Sequence, residues 1–433
     1  MSLKRKVNLN FKLVKDLYFG QKVFLLGIFF LPSAVPIGAL LLLVSIFFSL
    51  MNKTENLFKN KFNFIFFVSN IIILIGTIFN CFFNTSPALV EIKKSIIWLN
   101  LFNWIPLYFA FLGFKIYLKN KQQILLFQKV LICGTIPILI SCILQKFFAI
   151  YGPFDTLFGT IVWFNYKIGQ LPNAPNLRVS GLFSNPNYLG MWLSLCLPFG
   201  ISLLNLEKRK ANKIILYFIN LLIIYFAIAT NSRNAFLGIF ISFLLIFGIR
   251  RIIYCSFFLS AGLVLFNYLL PNLINLNDSF LYSKFLNFNF FASPRMHIWQ
   301  NAINLISQQP LLGWGAGTFP YLNGINAAEN YQHTHNLIIE LAYNFGLPLA
   351  FLISSTVISI FIKSFNKIKS LDKSSTKYSI YTTFFASFSV FLAAHMTDLT
   401  YYDGRISLIF AILLAGFINF IEEKNYLENS EAN

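Results

Sequence analysis

The sequence has few of the side chains that keep a protein in water. Charged residues make up 11% of its 433 residues, whereas 57% are hydrophobic and 18% are aromatic. A soluble protein of this length needs a far more polar surface, so a water-soluble pair of domains is excluded. The apolar residues lie in blocks long enough to cross the roughly 30 Å hydrocarbon core of a bilayer. The sequence therefore predicts an all-α polytopic membrane bundle, with residues 1–433 forming a single membrane domain.

Acidic residues are especially scarce. The chain has 15 Asp and Glu against 34 Lys and Arg, which gives a formal net charge of +19. In a soluble protein this excess indicates nucleic acid, but here it fits cationic loops held on the cytoplasmic side of a membrane. We therefore predict membrane lipids and no nucleic acid as partners. The five cysteines lie inside apolar blocks without a CxxC motif, which favours packing over metal binding or disulfide formation.

Twelve apolar blocks predict about twelve transmembrane helices. With twelve spans, every lysine cluster falls on one side and both termini are cytoplasmic. The stretch Val23–Leu50 is interrupted only by Pro32, Ser33 and Pro36, so one long kinked helix is the alternative to two spans there. The blocks are 17–35, 37–50, 62–83, 95–114, 130–150, 187–206, 214–229, 235–249, 252–270, 336–362, 378–397 and 405–421.

Two of the predicted outward loops are longer than the others. They cover residues 151–185 and 271–335, and the C-terminal spans follow over 336–421. The second loop contains a predicted amphipathic helix at 294–308, with Ser293 as its N-cap and Pro294 at its first position. Helical spacing relates Met296, Trp299, Ile303 and Ile306. We expect this helix to lie on the membrane surface or over the mouth of the bundle.

Arginine is rare and unevenly placed. The chain has 26 Lys but only eight Arg, and four of these are predicted to lie on the outward side: Arg178, Arg233, Arg295 and Arg405. A planar guanidinium binds phosphate oxygens through two hydrogen bonds, which an ammonium cannot do. The first three of these arginines lie near predicted helix N-termini, where free N–H groups favour an anion. The alternative is that polar residues at these positions serve only as caps.

The histidines suggest acid–base chemistry rather than metal binding. His333 and His335 form an HxH pair before the predicted tenth span, with only Glu329 and Glu340 as nearby acids. We predict no metal and no cofactor. A neutral imidazole can take a proton from an attacking hydroxyl. Asp398 and Asp403 are either positioning groups for a sugar or an arginine, or solvated loop residues.

Several short segments follow one another between Arg178 and Leu349. They are Arg178–Phe183 with Asn185–Asn187, Asn231–Asn234, Arg295–Trp299, Pro310–Gly315 and His335–Asn336. In order and spacing they resemble the O-antigen ligase and polymerase superfamily of bacterial membrane glycosyltransferases. Its ligases have a His, then Asn, Ser or Gln, nine residues, Gly, two residues, and Gly, Thr or Tyr. His335, Asn336 and Gly346 match this pattern, and Leu349 departs from it.

The resemblance implies a metal-independent, inverting glycosyltransferase of lipopolysaccharide or other surface-polysaccharide synthesis. A glycan would pass from a polyprenyl (undecaprenyl) pyrophosphate donor to an acceptor hydroxyl on a lipid or glycan, at the outer face of the bacterial inner membrane. By position, Arg233 and Arg295 would bind the pyrophosphate and stabilise its departure, with Arg178 assisting. His335 would orient or deprotonate the acceptor, and Asn336 would help to hold it. His333 and Arg405 are further candidates for substrate binding.

Three alternatives to a ligase remain at this level, of which a non-catalytic scaffold for envelope assembly would leave the outward arginines unexplained. A repeat-unit polymerase would use the same chemistry with another acceptor, and the sequence does not separate the two. A solute transporter, such as one for inorganic carbon, would place ionisable groups near the middle of the membrane. His395 is the main candidate for such a group, whereas the arginines gather at the predicted outer face. This distribution favours the enzyme.

Overall fold

The computed structural model describes residues 18–51, 60–90, 92–148, 178–254, 294–322 and 331–423. Within these ranges the regular secondary structure is helical, with no strand. In the described residues, seven helical segments are long and apolar enough to cross a membrane, counting Lys94–Leu118 as one, and three shorter apolar helices accompany them. The chain is therefore a polytopic helical membrane protein, as its composition predicts.

The helices are numbered in chain order. The first eight are α1 (Phe19–Phe30), α2 (Val35–Met51), α3 (Lys61–Phe82), α4 (Pro87–Val90), α5 (Lys94–Asn100), α6 (Ile105–Phe114), α7 (Lys121–Phe148) and α8 (Pro186–Leu206). The others are α9 (Lys210–Ala229), α10 (Arg233–Phe247), α11 (Pro294–Gln308), α12 (Phe319–Leu322), α13 (Leu337–Phe345), α14 (Leu347–Lys369), α15 (Thr376–Ala394) and α16 (Gly404–Glu422). Residues 249–254 are also helical.

The N-terminal region forms a hairpin of two antiparallel helices. Gly20 lies near Phe48, Gly27 near Leu42 and Gly38 near Leu31, so the pairing runs in opposite directions along α1 and α2. The turn between them contains Pro32, which breaks helical hydrogen bonding. The stretch Val23–Leu50 is therefore two helices and not one kinked helix.

The other predicted blocks agree with the helices to different degrees. Block 95–114 is divided into α5 and α6 by a 3₁₀ turn at Leu101–Asn103, and block 130–150 begins earlier, at Lys121. Block 336–362 is divided at Gly346, where φ is +88°. Block 252–270 lies mostly outside the described residues, so the count of twelve spans stays a prediction. Residues 151–177 and 271–293 of the two predicted outward loops also lie outside them.

The amphipathic helix α11 has the predicted bounds, Pro294–Gln308. Ile298, Ala302 and Ile306 are buried within the protein, whereas Ile303 is 55% exposed. Of these, Ile306 belongs to the predicted apolar stripe, and α11 packs against α13. The predicted position on the membrane surface or over the mouth of the bundle stays a prediction. The predicted cap, Ser293, lies outside the described residues.

Helices α8, α10 and α15 pack together as the centre of the bundle. Gly190 and Gly238 lie on the facing surfaces of α8 and α10, where an added Cβ would come within 2.9 Å of Ala235 and 2.6 Å of Ser194. Ser387 of α15 donates a hydrogen bond to the Leu195 carbonyl of α8, at 2.9 Å. Small residues and hydroxyl hydrogen bonds of this kind let membrane helices approach closely.

Four connections meet at one end of this centre. They are the segment before α8, the turn between α9 and α10, the segment before α13, and the segment between α15 and α16. Backbone hydrogen bonds join them, from Val179 to the Ala229 carbonyl at 3.2 Å and from Leu337 to the His395 carbonyl at 2.9 Å. Side chains separated by up to 220 positions in the sequence are thereby brought to one place.

Candidate active site

Asp398 lies at the centre of a polar cluster at this end of the bundle. Its Oδ1 atom is 2.8 Å from Nδ1 of His335 and accepts a hydrogen bond from the Leu399 amide at 3.0 Å. Its Oδ2 atom accepts a hydrogen bond from Nδ2 of Asn187 at 3.1 Å and is 3.5 Å from Nη2 of Arg295. One buried carboxylate thus joins residues from α8, α11 and the segment before α13.

The surroundings of Asp398 keep it ionised. Burial alone would raise the pKa of this carboxyl, but the hydrogen bond with His335 and the charge of Arg295 outweigh it and lower the pKa to about 2. An ionised carboxylate can only accept hydrogen bonds, so Nδ1 of His335 is the donor. The other ring nitrogen, Nε2, is then left with its lone pair when the imidazole is neutral.

The backbone at His335 is unusual. Its φ is +56°, a left-handed conformation that non-glycine residues seldom adopt. The ring of His333 lies 4.4 Å from the His335 ring, and that of Tyr331 lies 6.1 Å away. About a fifth of the His335 side chain, 22%, remains exposed. The imidazole is therefore held on one edge and accessible on another, as a general base requires.

Arg178 belongs to the cluster through Asn187. Its Nη2 atom donates to Oδ1 of Asn187 at 2.5 Å, and its Nε atom donates to the Thr230 carbonyl at 2.8 Å. Asn187 in turn donates to Asp398. The side-chain amide therefore connects the first of the predicted arginines to the carboxylate that holds His335.

Arg233 and Arg295 lie close enough to affect each other electrostatically. Burial lowers the pKa of the Arg295 guanidinium against the raising effect of Asp398, and the positive charge of Arg233 adds to the lowering. Arg233 is exposed at the first position of α10, and Arg295 lies in the first turn of α11. Arg178 and Arg295 therefore lie near Asp398, and Arg233 lies near Arg295. This surplus of positive charge suits an anion with more than one negative charge.

Glu340 holds the segment that contains His335. This carboxylate is 1% exposed. Its Oε2 atom accepts a hydrogen bond from the amide of Thr334 at 2.9 Å, and its Oε1 atom accepts from the Tyr402 hydroxyl at 2.6 Å and from Asn344 at 3.2 Å. Thr334 immediately precedes His335, so these contacts brace its left-handed backbone.

Trp299 braces the same segment from the other side. Its Nε1 atom donates to the carbonyl of Thr334 at 2.9 Å, which ties α11, and with it Arg295, to the histidine segment. The Thr334 hydroxyl donates to the Asn336 carbonyl at 3.0 Å. The donor, acceptor and hydroxyl groups of Thr334 are thus all engaged, which fixes the relative positions of Arg295 and His335.

Asn336 and Gly346 explain the spacing of the motif. The Asn336 side chain caps α13 by accepting hydrogen bonds from the amides of Ile338 and Ile339, at 3.0 and 3.2 Å. Gly346 ends α13 with φ of +88°, and a Cβ there would collide with the Leu311 carbonyl oxygen. The nine residues between the two are α13 itself. This geometry gives Asn336 a local structural task, and its predicted contact with substrate stays a prediction.

Arg405 is engaged within the protein. Its guanidinium is 2% exposed and forms hydrogen bonds with both carboxylate oxygens of Asp403, at 2.8 to 3.2 Å. It also donates to the carbonyls of Leu182 and Pro32, and its Cζ atom lies 3.6 Å from the ring centroid of Phe183. These contacts join the start of α16 to the turn between α1 and α2 and to the segment before α8, so they favour a structural role over the predicted substrate binding.

His333 lies inside the cluster and is neutral near pH 7. Its ring stacks against Tyr402, with centroids 5.8 Å apart. Burial first, and the neighbouring charge of His335 second, lower the pKa of His333 to about 4.

Of the residues that the structure describes, no three His, Cys, Asp or Glu side chains form a metal-binding group. Cys81, Cys142 and Cys196 are buried, whereas Cys133 is exposed.

The structure gives roles to acidic residues that sequence reasoning left open or missed. Asp398 was one of two possible positioning groups, and the structure shows it contacting both His335 and Arg295. Glu340 and Asn187 were not identified as parts of the site. The signal for Glu340 was present: it is a carboxylate within a long apolar block, five residues after His335.

An apolar cavity of about 840 Å³ lies directly below the histidine segment. Leu337, Ile338 and Met396 line it near the site, and Phe361 and Phe365 line it further along α14. Polar groups are few in its lining, with His395 and Ser354 among them. Leu337 and Met396 are sequence neighbours of His335 and Asp398, so the apolar cavity lies beside the cationic cluster, although the arginines, His335 and Asp398 do not themselves line it.

Comparison with known families addresses what this arrangement is for. Residues 190–354 match the family described as O-antigen ligase. This segment of the chain is similar to the O-antigen ligase superfamily. The O-antigen ligase match begins within α8 and ends within α14, so it includes Arg233, Arg295 and His335. It stops before Asp398, the residue that joins these groups.

Curated relatives give the same assignment. A putative polysaccharide ligase of Rickettsia felis is 27% identical over 199 residues, which cover 43% of this chain and 47% of the relative. One from Rickettsia prowazekii is 25% identical over 206 residues, covering 45% and 50%. A ComP-specific O-oligosaccharyltransferase of Acinetobacter baylyi is 25% identical over 174 residues, covering 38% and 32%. The chain thus spans half or less of the length of the curated relatives it matches.

Proposed function

We propose that this protein transfers a glycan from a polyprenyl-pyrophosphate carrier to an acceptor hydroxyl at the outer face of the bacterial inner membrane. The observation that supports this most directly is the contact of Asp398 with both His335 and Arg295, above an apolar cavity. A proton acceptor, a phosphate-binding group and a lipid-sized space are brought together there.

The arginines hold the donor headgroup in this proposal. Arg233 and Arg295 bind the pyrophosphate oxygens, and Arg178 contributes from the far side of Asp398. Because negative charge grows on the phosphate oxygen as the glycosidic bond breaks, these fixed cations stabilise the transition state more than the bound donor. A pyrophosphate is a good leaving group, so we propose that these guanidinium groups suffice and that no metal is required.

The apolar cavity receives the start of the polyprenyl chain. It extends along α14 from Ile353 to Phe365, a distance of about 18 Å at 1.5 Å per residue. Isoprene units that enter it are removed from water or from the bilayer, and their methyl groups pack against the phenylalanines that line the cavity. This anchoring sets the pyrophosphate beside the arginines at the cavity's upper end.

His335 acts on the acceptor. Its Nε2 atom takes the proton of the acceptor hydroxyl while that oxygen attacks the anomeric carbon from the side opposite the pyrophosphate. The bond from the anomeric carbon to the phosphate oxygen breaks, and its electron pair leaves with the polyprenyl pyrophosphate. One displacement of this kind inverts the anomeric configuration. The resulting imidazolium is stabilised by Asp398, which stays ionised.

The topology follows from the same proposal. The candidate site lies at the end of the bundle opposite the lysine-rich segment between α8 and α9. If that segment is cytoplasmic, the site faces outward and both termini are cytoplasmic. The transporter alternative predicts ionisable groups in the middle of the spans, whereas the cluster around Asp398 lies at one end of them.

Purified protein tests this function directly. The protein is incubated with a polyprenyl-pyrophosphate glycan and candidate acceptors, in the presence of a metal chelator, and both products are measured. We expect release of polyprenyl pyrophosphate together with an inverted glycosidic linkage. A lipid or protein product supports a ligase, and an extended repeat-unit glycan supports a polymerase. Solute uptake into vesicles without either product would contradict both.

Variants assign the chemistry to residues. His335→Ala should lower turnover by roughly 10³-fold or more, because the base is lost. The matched control is His297→Ala, since His297 is an exposed histidine on α11.

Arg295→Lys should lower turnover by roughly 10- to 100-fold, because the positive charge is kept but the two parallel hydrogen bonds of the guanidinium are lost. Unchanged turnover in both active-site variants would refute the mechanism.

A further inference from the structure

A second, smaller groove lies at the end of the bundle opposite the candidate active site. It has a volume of about 410 Å³ and is formed by α7, α8 and α9. The C-terminal end of α8 and the N-terminal end of α9 meet there. None of the residues of the candidate active site lines it, so its properties need a separate explanation.

The groove has an apolar part and a polar part. Ile132, Ile136, Ile215 and Ile219 form apolar walls along α7 and α9, while Lys129, Glu207 and Asn212 lie at its polar part. Lys129 lies eight residues into α7, which is about 12 Å from the start of the helix at Lys121. The groove thus places a cation beside apolar side chains, which is the combination that suits a phospholipid headgroup and its acyl chain.

Glu207, the acidic residue among those that line the groove, already accepts hydrogen bonds from neighbouring groups. Glu207 accepts hydrogen bonds from the amides of Lys208 and Arg209, at 2.8 and 2.9 Å, and from Nδ2 of Asn212 at 3.1 Å. In the described part of the chain, Lys129 has no carboxylate within 4.0 Å. Its ammonium group is exposed at the groove and available to an external anion.

The charged residues around the groove are mostly positive, as Lys129 is. Lys208, Arg209, Lys210 and Lys213 lie within seven residues of Glu207, so with Lys129 five cations accompany one carboxylate. Arg209, the N-cap residue of α9, makes no side-chain capping bond, and the first turn of this helix has no acidic residue. The positive end of the helix dipole therefore adds to the cationic field at the mouth of the groove.

We propose that this groove binds an anionic phospholipid of the cytoplasmic leaflet. The headgroup phosphate pairs with Lys129 and lies in the field of the segment between α8 and α9, and an acyl chain follows the isoleucines of α7 and α9. The site is independent of the proposed glycan transfer. It would fasten the two helices that flank α8, whose other end contributes Asn187 to the candidate active site.

Lipid binding can be measured on the full chain in detergent. The protein is titrated with phosphatidylglycerol or with phosphatidylcholine, and bound lipid is counted by native mass spectrometry while the unfolding temperature is followed. We expect phosphatidylglycerol to bind at least about fivefold more tightly and to raise the unfolding temperature. Lys129→Gln should weaken that binding about fivefold, the value of one cation near a lipid phosphate. Lys121→Gln, on the same helix outside the groove, should not.

A second variant tests the apolar part. Ile136→Trp fills the groove and should reduce phosphatidylglycerol binding while Lys129 is still present. Glycerol phosphate, which has the headgroup chemistry without chains, should not compete with the lipid. The proposal is overturned if both lipids bind equally, if Lys121→Gln and Lys129→Gln have the same effect, or if glycerol phosphate displaces the lipid. Glycan transfer in the same preparations reports separately on the active site.

Discussion

At the scale of single residues, a small change to the Asp398 side chain is expected to have a large effect on turnover. Asp398→Asn keeps the shape of the side chain but removes the charge that fixes the His335 tautomer and balances Arg295. We expect turnover to fall by roughly 10²- to 10⁴-fold with little change in the amount of folded protein. Turnover with purified donor measures this, and the unfolding temperature serves as the check on folding.

The matched control for this substitution is Asp372→Asn. Asp372 lies in the turn before α15 and bonds only to nearby serines, so the same chemical change there should leave turnover intact. Should Asp398→Asn retain full turnover, the contact between Asp398 and His335 has no part in the reaction.

The pH dependence also belongs to this scale. The pKa of Asp398 is lowered to about 2 and that of His333 to about 4, so neither group changes charge between about pH 5 and about pH 8. The stabilisation from ionised Asp398 is complete above the ordinary aspartate pKa of about 3.9 and is lost as pH falls towards about 2. His333→Gln should therefore leave the dependence of turnover on pH unchanged between about pH 5 and about pH 8. A changed profile in this range would show that His333 changes charge there.

At the scale of secondary structure, the motif that contains His335, Asn336 and Gly346 corresponds to one short helix, α13. Asn336 starts α13 and Gly346 ends it, so the nine intervening residues set the distance between the histidine segment and α14. The requirement at Gly346 is conformational, because φ is +88° and a side chain there would meet the backbone of Leu311. Leu349, which departs from the family pattern, is fully buried and lies beyond this junction.

Gly346→Ala should therefore act through structure. The strained φ and the collision with Leu311 should cost about 2 to 4 kcal/mol of stability, and α13 should shift relative to α14. We expect a lower unfolding temperature and faster hydrogen exchange in α13. Gly404→Ala is a suitable control, since nothing lies within 4 Å of a Cβ added there. Equal stability of the two variants would contradict the account.

The helices also show which predictions from pattern succeed. The split of Val23–Leu50 followed from the side on which the lysine clusters fall, and the start of α11 followed from the Ser293–Pro294 signal. The apolar stripe of α11 included Ile306, which is buried, but not Ile298 and Ala302, which are buried on the same helix. Trp299 instead directs its Nε1 atom to Thr334, a contact that helical periodicity cannot reveal.

At the scale of the whole molecule, the proposed function predicts that the length of the donor's lipid chain affects its binding, because the large cavity would receive that chain. Ser354→Phe places a ring in the cavity wall below the site. We expect the KM for a full-length polyprenyl donor to rise about tenfold, since burial of roughly 55 Å² of apolar surface is lost. The KM for a donor with one or two isoprene units should change little. Ser355→Phe, on the same helix but outside the cavity lining, provides the control.

Equal changes in KM for long and short donors would place the polyprenyl chain elsewhere. The candidate site would then keep its cationic part, because the arginines and Asp398 do not depend on the cavity. This test therefore separates recognition of the lipid chain from recognition of the headgroup.

The sequence by itself determined the class of protein and much of the site's composition. Scarce charge and long apolar blocks dictate a helical membrane bundle, since a lipid environment permits few other structures. The rarity of arginine singled out Arg178, Arg233, Arg295 and Arg405, and the single motif singled out His335. These conclusions needed only composition and local spacing.

Only the tertiary structure decided how these residues work together. Asp398 lies 63 positions from His335 and 103 from Arg295 in the sequence, and it meets them because four connections converge at one end of the packed helices. The same packing directed Arg405 into a buried ion pair and gave Glu340 the task of holding the histidine segment. Partners of a charge in a membrane protein are chosen by helix packing, because a buried charge must be neutralised by whatever group the fold brings near.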